Sequence, residues 1–592
     1  MATGALVTVN NGASLNVFGN LFNSGTFNGS GNVILTGSHN QLIRGNGKMV
    51  NLELNNDAGA TINSPSVNYD SLTLSGALQI ASGNFNTNGG LVLAMQDTTL
   101  DCGGMVNAIT GGSLSGNVII QQYISGGHRA YRTFGHPFTS SIALYQLQNY
   151  IDITGDDGAS NGFTTTLTNA PSAFWYHTLA GNSSITTGGG DPGWVAITSS
   201  YGTPDSNMWH RYQGMRIFIR GAKGEGLTGA AYTIDATTFR MYGQVNTGSL
   251  NMLLVKGTVT VSGISVQDYN QMSNPYPAPV DLAAVCNNAS GQLNGTVFWI
   301  WNSWLGVAGA WDHVDFSTTP SFVIPANSSF QVRALNNGSF LPFMEANKAT
   351  SIMHQVLKSV TSDFISLNVY DVNYHLYDYL HVKFNDLATE MEDVNYDGGK
   401  PVNPEVNFYS WSGDHHPLCQ DTRPYKAGSK IPLGFTSSMN KEYIIKVVQY
   451  GIPAISAVYL HDKYLNKYEL LEQGVEYKFA VTEDAASQGD SRFELGMGET
   501  ENVVNVSSTN DLKVLVLPNP AYETVNINYV STERAATSVS IFSISGVCVL
   551  SQDIGIQDKG ELTFGISKLP SGIYLVAIIS GNKKVIARLI KN

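Results

Sequence analysis

Aspartate, asparagine and glycine gather in one stretch of the chain, Asp393-Val394-Asn395-Tyr396-Asp397-Gly398. Oxygen ligands at alternate positions followed by glycine begin an EF-hand calcium loop, which also needs a bidentate Glu at its twelfth position. The twelfth position here is Pro404, and Glu405 comes one residue late. The stretch therefore predicts an Asx/Gly turn, with a calcium loop of another type as the alternative and no other cofactor.

A second cluster combines Asp414, His415 and His416 with the nearby Cys419, and all of these side-chain types bind Zn²⁺. Adjacent histidines on a strand point to opposite faces, however, and no second group of ligands lies near in the sequence. The cluster therefore predicts a polar loop before Pro417 rather than a metal site.

Tryptophans are concentrated in residues 290–315, where the chain carries Trp299, Trp301, Trp304 and Trp311. Alternation along a strand places Trp299 and Trp301 on one face. Exposed aromatic rings offer flat apolar faces on which sugar rings can stack. These two residues are the candidate glycan contacts, and packing in a core is the alternative.

Arrangements typical of catalysis do not accompany these clusters. A glycosidase needs two carboxylates flanking one bond, and no motif pairs the candidates Glu345 and Asp312. The sequence also lacks the H-E-x-x-H motif. We therefore predict no catalytic residue and no enzyme activity.

Charged residues are scarce in the chain as a whole. Only 13% of the 592 residues are charged, against about 25% in a typical soluble domain, and the net charge is -13. That balance argues against a nucleic-acid partner, which would need a basic surface. No apolar run approaches the roughly 20 residues of a membrane span. Abundant Gly, Asn, Ser and Thr is instead typical of an extracellular all-β protein.

The cysteines lie more than a hundred residues apart, at Cys102, Cys286, Cys419 and Cys548. Such spacing is neither a disulfide framework nor a metal-finger pattern, so it predicts lone, buried or half-buried thiols.

Short apolar triplets alternate with Gly/Asn turns over residues 1–122, as in Leu52-Glu53-Leu54 and Leu72-Thr73-Leu74. The pattern predicts either the stacked rungs of a β-helix or a string of hairpins. Residues 123–349 predict an aromatic-rich β module without a convincing helix, and 350–498 predict a β-sandwich-like module. Residues 499–511 predict a polar linker.

Residues 512–592 show strand runs separated by turns at Pro518-Asn519-Pro520, Ser545-Gly546 and Leu569–Gly572. About seven short strands in this length predict a small immunoglobulin-like sandwich. The paired prolines fix two φ angles and remove two backbone donors, and the glycines permit turn conformations that other residues avoid.

This last segment resembles the C-terminal type A sorting domain of type IX secretion cargo in the Bacteroidetes. Four boxes carry the resemblance: 516–521 (VLPNPA), 539–546 (VSIFSISG), 569–576 (LPSGIYLV) and 583–591 (KKVIARLIK). The resemblance implies that the type IX translocon and its sorting machinery read this domain, which is then usually removed. It also implies the sorting-signal residues, which are Pro518, Asn519, Pro520, Gly546, Gly572, Tyr574 and Lys591.

The upstream segments resemble surface proteins of the same bacteria, through 123–137 (YISGGHRAYRTFGHP) and 272–277 (MSNPYP). The resemblance implies an exported cell-surface or secreted protein of adhesin-like or structural type that binds a glycan or another surface ligand. Such cargo also carries an N-terminal signal peptide, which we do not find, so we expect a truncated N-terminus. The alternative function is a secreted glycan-binding or glycan-degrading protein with its site in 290–315.

Asp70-Ser71-Leu72 and Asp97-Thr98-Thr99 also fit the short O-glycosylation pattern of these bacteria, with unmodified turns as the alternative.

Overall fold

A computed structural model describes the protein over thirteen ranges of the chain. They are 1–63, 70–94, 103–178, 193–227, 233–256, 260–261, 264–265, 269–306, 308–350, 364–426, 428–451, 458–497 and 512–591. The regular structure in these ranges is almost entirely β-strand, so the all-β prediction is confirmed. The predicted linker 499–511, Cys102 and Asp97-Thr98-Thr99 lie outside the described residues.

The chain divides into two compact units, and each is described by itself. Unit 1 contains the described residues of 1–360 together with 401–404, and unit 2 contains those of 361–400 and 405–592. The predicted segments 1–122 and 123–349 lie within unit 1, the segment 512–592 lies within unit 2, and the segment 350–498 has residues in both.

Unit 1 begins with short strands that pair in parallel with the strand three places later. They are β1 (Leu6–Thr8), β2 (Ser14–Val17), β3 (Leu21–Phe22), β4 (Thr26–Asn28), β5 (Asn32–Leu35), β6 (Gln41–Arg44), β7 (Lys48–Met49), β8 (Asn51–Asn55), β9 (Ala60–Ile62), β10 (Leu72–Leu74), β11 (Ala77–Ser82), β12 (Asn84–Asn86), β13 (Leu91–Leu93), β14 (Met105–Val106), β15 (Ser113–Ser115) and β16 (Val118–Ile124). Three parallel sheets result, built from every third strand. We call this region the parallel coil; hairpins would have paired antiparallel.

Apolar residues of successive turns stack in the parallel coil because no short strand can bury its own apolar face. In one sheet Leu35, Leu54 and Ile80 occupy equivalent positions on neighbouring strands, and all three are fully buried. The glycines that recur between the strands are also required by the close stacking of successive turns. Gly83 has a φ of 78°, and a Cβ there would collide with the Asn56 carbonyl on the turn below.

The second half of unit 1 is the aromatic module, whose elements are β17 (Gly127–His128), β18 (Ala130–Phe134), β19 (Ala173–Tyr176), β20 (Trp194–Ala196), β21 (Met215–Ile219), β22 (Thr233–Ile234), β23 (Thr237–Gly243), β24 (Leu250–Leu253), β25 (Thr260–Val261), β26 (Ile264–Ser265), β27 (Tyr269–Ser273), β28 (Val280–Asp281), α1 (Leu282–Asn288), β29 (Val297–Asn302), β30 (Ala310–Asp315), β31 (Val323–Ile324), β32 (Ser329–Arg333) and β33 (Phe340–Phe343). Its two four-stranded sheets have the orders β18-β21-β19-β20 and β27-β32-β29-β30. β23 pairs antiparallel with β16 and joins the module to the parallel coil.

The helix α1 was not expected from the sequence. Asp281 caps it by accepting a hydrogen bond from the Ala284 N–H at 3.2 Å. Leu282, Ala283, Val285 and Cys286 are buried, so the helix shows few polar positions and too little length for a visible amphipathic period.

Unit 2 opens with an eleven-stranded sheet that folds over one core. Its strands are β34 (Phe364–Asp371), β35 (Leu376–Phe384), β36 (Gly398–Gly399), β37 (Val406–Trp411), β38 (Pro417–Arg423), β39 (Lys430–Ser437), β40 (Glu442–Tyr450), β41 (Val458–Asp462), β42 (Lys467–Leu470), β43 (Glu476–Ala480) and β44 (Gly489–Met497). Asp462 and Arg492 form an ion pair at 2.8 Å with both side chains fully buried. The Tyr477 hydroxyl donates to the same carboxylate at 2.9 Å.

The C-terminal domain contains β45 (Leu512–Leu517), β46 (Thr524–Ser543), β47 (Cys548–Gly565), β48 (Gly572–Ser580) and β49 (Lys583–Lys591). The prediction of seven short strands is therefore wrong in number. Predicted strands merge in pairs into β46 and β47, because the chain continues through a register shift between Val530 and Ala535 instead of turning. The domain keeps one apolar core, to which all five strands contribute.

The thiols follow the prediction in part. Cys286 and Cys419 are buried, whereas Cys548 at the start of β47 is exposed.

Replacing Leu54 with alanine tests the stacked core of the parallel coil. The change removes a fully buried side chain between two others, so we expect a loss of about 2–5 kcal/mol in the free energy of unfolding. Leu6 is 63% exposed, and Leu6→Ala is the matched control with an expected loss below about 0.5 kcal/mol. Urea denaturation followed by circular dichroism measures both, and equal effects would contradict the stacked core.

Arg492→Met tests the buried ion pair of unit 2. It leaves the Asp462 carboxylate buried without its partner, and we expect a loss of about 3–5 kcal/mol. The double variant Asp462→Leu/Arg492→Met should recover most of that loss, since no uncompensated charge remains. Lys446→Met breaks a partly exposed pair with Glu476 and should cost far less than Arg492→Met. A double variant as unstable as Arg492→Met alone would refute this account.

Candidate functional site

A cavity of about 440 Å³ opens in the aromatic module, and we call it the aromatic pocket. Four separate stretches line it: 175–178, 210–213, 251–255 in part, and 270–272. Its lining residues are Trp175, Tyr176, His177, Thr178, His210, Arg211, Tyr212, Gln213, Asn251, Leu253, Val255, Asn270, Gln271 and Met272. Such a size is within the usual range of small-ligand sites.

Backbone pairing fixes the floor of the aromatic pocket. Gln213 bridges antiparallel to Met272 on β27, and the Gly214 N–H donates to the Gln271 carbonyl at 2.9 Å. Tyr212 has a φ of 68°, a left-handed conformation that is unusual for a residue with a side chain. Backbone strain of this kind is held by its surroundings and is common at binding sites.

Aromatic rings form two walls of the aromatic pocket. Trp175 lies on β19 between Phe174 and Tyr176, which are buried, and its own half-buried ring faces the other way. The His177 imidazole meets that ring edge-on at a centroid distance of 4.9 Å. On the opposite stretch, the Arg211 guanidinium lies 5.1 Å from the centre of the half-buried Tyr212 ring.

Polar atoms without partners lie between these walls. Gln271 is only 4% exposed, and its Nε2 donates to Ser329 Oγ at 2.9 Å. Its Oε1, together with Gln213 Oε1 and His177 Nδ1, is buried with no hydrogen-bond partner among the described residues.

Charge in the aromatic pocket differs from that of the whole chain, whose net charge is -13. The described lining contains one arginine and two histidines but no aspartate or glutamate. The carboxylate beside it is the exposed Asp205, whose Oδ2 lies 3.9 Å from His210 Nε2. The pocket can therefore bind rings, hydroxyls and anions, but it holds no carboxylate pair for acid–base hydrolysis.

The predicted glycan contacts lie elsewhere and are buried. Trp299 is 1% and Trp301 7% exposed, and the Trp299 ring meets the Tyr269 ring edge-on at a centroid distance of 5.2 Å. Trp301 Nε1 donates to the Tyr131 carbonyl at 2.7 Å, and its ring meets Trp311 edge-on. Core packing, the stated alternative, is thus the observed role, and neither ring offers a face for stacking. Trp304 is 61% exposed.

Sequence reasoning missed the aromatic pocket because its walls come from four distant stretches. One signal was present: the run Phe174-Trp175-Tyr176 sends its middle ring to the face opposite its neighbours.

Neither metal-like cluster forms a cage. In the first, Asp393 Oδ1 accepts from the Asn395 N–H at 2.9 Å, and Asp397 Oδ2 accepts from the Asp393 N–H at 2.7 Å. Burial and then the Asp421 carboxylate raise the pKa of Asp397 to about 8. These oxygens belong to a closed turn of the predicted Asx type.

In the second cluster, Cys419 points inward and its Sγ donates to the Gly399 carbonyl at 3.2 Å. His416 instead faces Glu392, at 3.4 Å. Over the described ranges, no three His, Cys, Asp or Glu side chains are placed to share a metal ion.

In the C-terminal domain, Asn519 clamps the end of the chain. Its Nδ2 donates to the Arg588 carbonyl and its Oδ1 accepts from the Ile590 N–H, both at 2.7 Å. The Ala521 N–H adds a bond to the Ile590 carbonyl at 2.8 Å. The edge of β49 is therefore occupied at its C-terminal end.

The other sorting-signal residues surround this clamp or shape turns. Pro518 and Pro520 flank Asn519, and Lys591 pairs with Gly572 across β49 and β48. Gly546 has a φ of 84° in the turn that joins β46 to β47. The Tyr574 ring is buried, and its hydroxyl donates to the Pro570 carbonyl at 2.8 Å.

An apolar face with basic neighbours lies on the outer side of β48 and β49, and we call it the sorting face. Its apolar members are 37–46% exposed: Ile573, Leu575, Ile579 and Ile586. Exposed Lys584 and Arg588 pair with Ile579 and Leu575 across the two strands.

Within unit 2, the C-terminal domain packs against β41 and β42. Tyr459, Tyr468 and Leu470 share an apolar cluster with Leu515 of β45. Asn528 Nδ2 donates to the Tyr468 carbonyl, and Lys513 Nζ lies 2.5 Å from Glu472 Oε1. The domain is thus folded onto its neighbour through both apolar and polar contacts.

Comparison with known proteins identifies the C-terminal domain. Residues 515–592 match the family described as "Secretion system C-terminal sorting domain". This confirms the resemblance found in the sequence and indicates a cargo of type IX secretion, delivered to the cell surface or the extracellular space. No curated protein matches the chain. No helix in the described part of the chain has the length and apolar character to cross a bilayer.

Solved structures show only distant similarity. Dimeric latent PorU from Porphyromonas gingivalis has 12% identity over 51% of this chain and 30% of that one, with a TM-score of 0.13. A β-1,2-glucanase from Parabacteroides distasonis has 11% identity over 35% of this chain and 38% of that one, with a TM-score of 0.10. The chain spans about a third of each protein's length, and neither similarity bears on its fold or function.

Glu469 on β42 makes the stability of unit 2 depend on pH. Burial and then the Glu561 carboxylate raise its pKa from the usual 4.5 to about 7. The folded state therefore keeps a proton that the unfolded state loses between these values, and stability falls as pH rises through that window. We expect Glu469→Gln to reduce this slope and to raise the free energy of unfolding at pH 8 by up to about 3 kcal/mol.

Urea titrations of the full chain at pH 5 and pH 8 measure the effect. Glu442→Gln, an exposed carboxylate on β40, is the matched control and should leave the slope unchanged. An unaltered pH dependence in Glu469→Gln would show that another group carries it.

Proposed function

We propose that this chain is an exported binding protein of adhesin-like type, displayed at the cell surface or released. In this proposal the C-terminal domain is the secretion signal and unit 1 is the part that acts outside the cell. The family match at 515–592 carries the export half of the proposal. The aromatic pocket, which lies far from that domain in sequence, supports a separate binding role.

Binding rather than catalysis fits the chemistry of the aromatic pocket. Hydrolysis of a glycosidic bond needs a carboxylic acid and a carboxylate on either side of the bond. The described lining has neither, and Glu345 is occupied elsewhere: it accepts from the Gly248 N–H at 2.6 Å and pairs with Lys348 at 2.8 Å. The glycan-binding alternative therefore gains support at the aromatic pocket, and the glycan-degrading one loses it.

The partners in this proposal are the type IX translocon with its sorting machinery, and a glycan or other surface ligand. For the first, the sorting face supplies exposed apolar area and positive charge, the composition of a surface that contacts another protein. The Asn519 clamp keeps β49 in place and thereby keeps that face flat. The sorting-signal residues act in this account by shape, since Tyr574 and Lys591 are buried.

Asn519→Ala tests the secretion role of the clamp. The change removes two hydrogen bonds to β49, and we expect a local loss of about 1–3 kcal/mol at the end of that strand. Less protein should then reach the medium and cell surface, with accumulation inside the cell. Quantitative immunoblots of cell, surface and medium fractions measure the distribution.

Asn582→Ala, at an exposed turn between β48 and β49, is the matched control and should be exported normally. Removal of 512–592 should abolish export altogether. Normal export of the truncated chain would overturn the proposed secretion role, whatever Asn519→Ala does.

A further inference from the structure

We infer that the aromatic pocket binds a saccharide that carries an anionic group, a carboxylate or a sulfate, on a pyranose ring. The inference deepens the proposed function, because it names a ligand class for the exported part of the chain. It rests on the proposed function only for its biological setting; the pocket chemistry stands on unit 1 alone.

Two aromatic side chains of the lining suit stacking on a sugar ring. Trp175 and Tyr212 belong to separate stretches of the lining, and both are half-buried. A planar apolar face attracts the C–H side of a sugar ring by burial and dispersion. The left-handed backbone of Tyr212 supports this reading, because strain at a pocket wall is retained where it positions a ligand contact.

Polar side chains of the lining suit hydrogen bonds with sugar hydroxyls. A sugar hydroxyl both donates and accepts, so its site needs atoms of both kinds. The lining offers such groups in the side chains of Gln213, Gln271 and His177. Gly214 permits this arrangement: a Cβ there would lie 2.7 Å from Gln271 Cγ and displace the side chain.

The positive charge of Arg211 suits an anionic group on the sugar. Arg211 is exposed at the mouth of the pocket, and no carboxylate forms an ion pair with it among the described residues. Its stacking over Tyr212 orients the planar guanidinium, whose paired N–H groups match the geometry of a carboxylate or sulfate. A lining without aspartate or glutamate in a chain of net charge -13 disfavours a cationic ligand and leaves an anionic one.

Isothermal titration of the purified full chain tests the inference with four probes. They are a galacturonate disaccharide, a sulfated galactose disaccharide, the neutral galactose disaccharide and a glutamate-rich peptide. We expect one or both acidic sugars to bind, and the neutral sugar and the peptide to bind at least about tenfold more weakly, since a charge-assisted contact or the ring stacking is lost. The two acidic probes show whether the anion is a carboxylate or a sulfate.

Variants then locate the site. Arg211→Met and Trp175→Ala should each weaken binding of the acidic sugar at least about tenfold, and Arg211→Lys should restore part of it. Arg534→Met and Trp304→Ala, which change exposed residues outside the lining, are the matched controls and should bind as the parent does. Circular dichroism confirms that each variant is folded.

Four results would overturn the inference: no binding of either acidic sugar, equal binding of the neutral sugar, equal binding of the peptide, or acidic-sugar binding unchanged in Arg211→Met. None of them bears on export, because the titration uses purified protein. Normal export of the truncated chain together with the expected sugar binding would overturn the proposed secretion role and leave this inference standing.

Discussion

The pairing of β16 with β23 is the constraint on which unit 1 depends. A stack of parallel strands ends in a row of unpaired backbone groups, and an uncapped end invites another chain to add to it. Here β23 returns from the aromatic module and pairs antiparallel along all of Val118–Ile124. Buried Ile120 and Ile124 then share one apolar core with Phe239 and Met241. The parallel coil and the module are therefore one cooperative structure rather than a stalk with a separate head.

The pairing of β16 with β23 also fixes the position of the walls of the aromatic pocket. The chain leaves β23 and enters β24, whose residues Asn251 and Leu253 line the cavity, and β24 is held by β33. Glu345, next to β33, accepts a hydrogen bond from the Ile109 N–H at 3.0 Å and so ties this wall back to the parallel coil. A ligand in the pocket would contact elements whose positions are fixed by the stacked strands, which limits the loss of conformational freedom on binding.

The sequence predicts most of the local structure here and little of the site. Strict alternation in Leu52-Glu53-Leu54 and left-handed glycines between the strands specify the rungs, because both signals are local. The burial of Trp299 and Trp301 has a non-local cause: alternation places both rings on one face, but only contacts from elsewhere in the fold, such as that of Tyr131 with Trp301, decide whether that face is covered. For the same reason the pocket, which joins Trp175 to Gln271 across 96 positions of sequence, could not be assembled from motifs.

In the sorting domain, the last strand β49 would leave unpaired backbone groups along its edge. The side chain of Asn519, rather than another strand, bonds to some of these groups. The amide of Asn519 presents one donor and one acceptor with the spacing of a peptide group, so it satisfies Arg588 and Ile590 as a neighbouring strand would. Aspartate offers only acceptors and alanine offers neither, so no smaller or charged residue substitutes for it. The flanking Pro518 and Pro520 lack N–H groups, and this short loop therefore covers the edge without extending it into a new one. The loop covers the β49 edge at its C-terminal end, and apolar and basic side chains stay exposed on the outer face of β48 and β49.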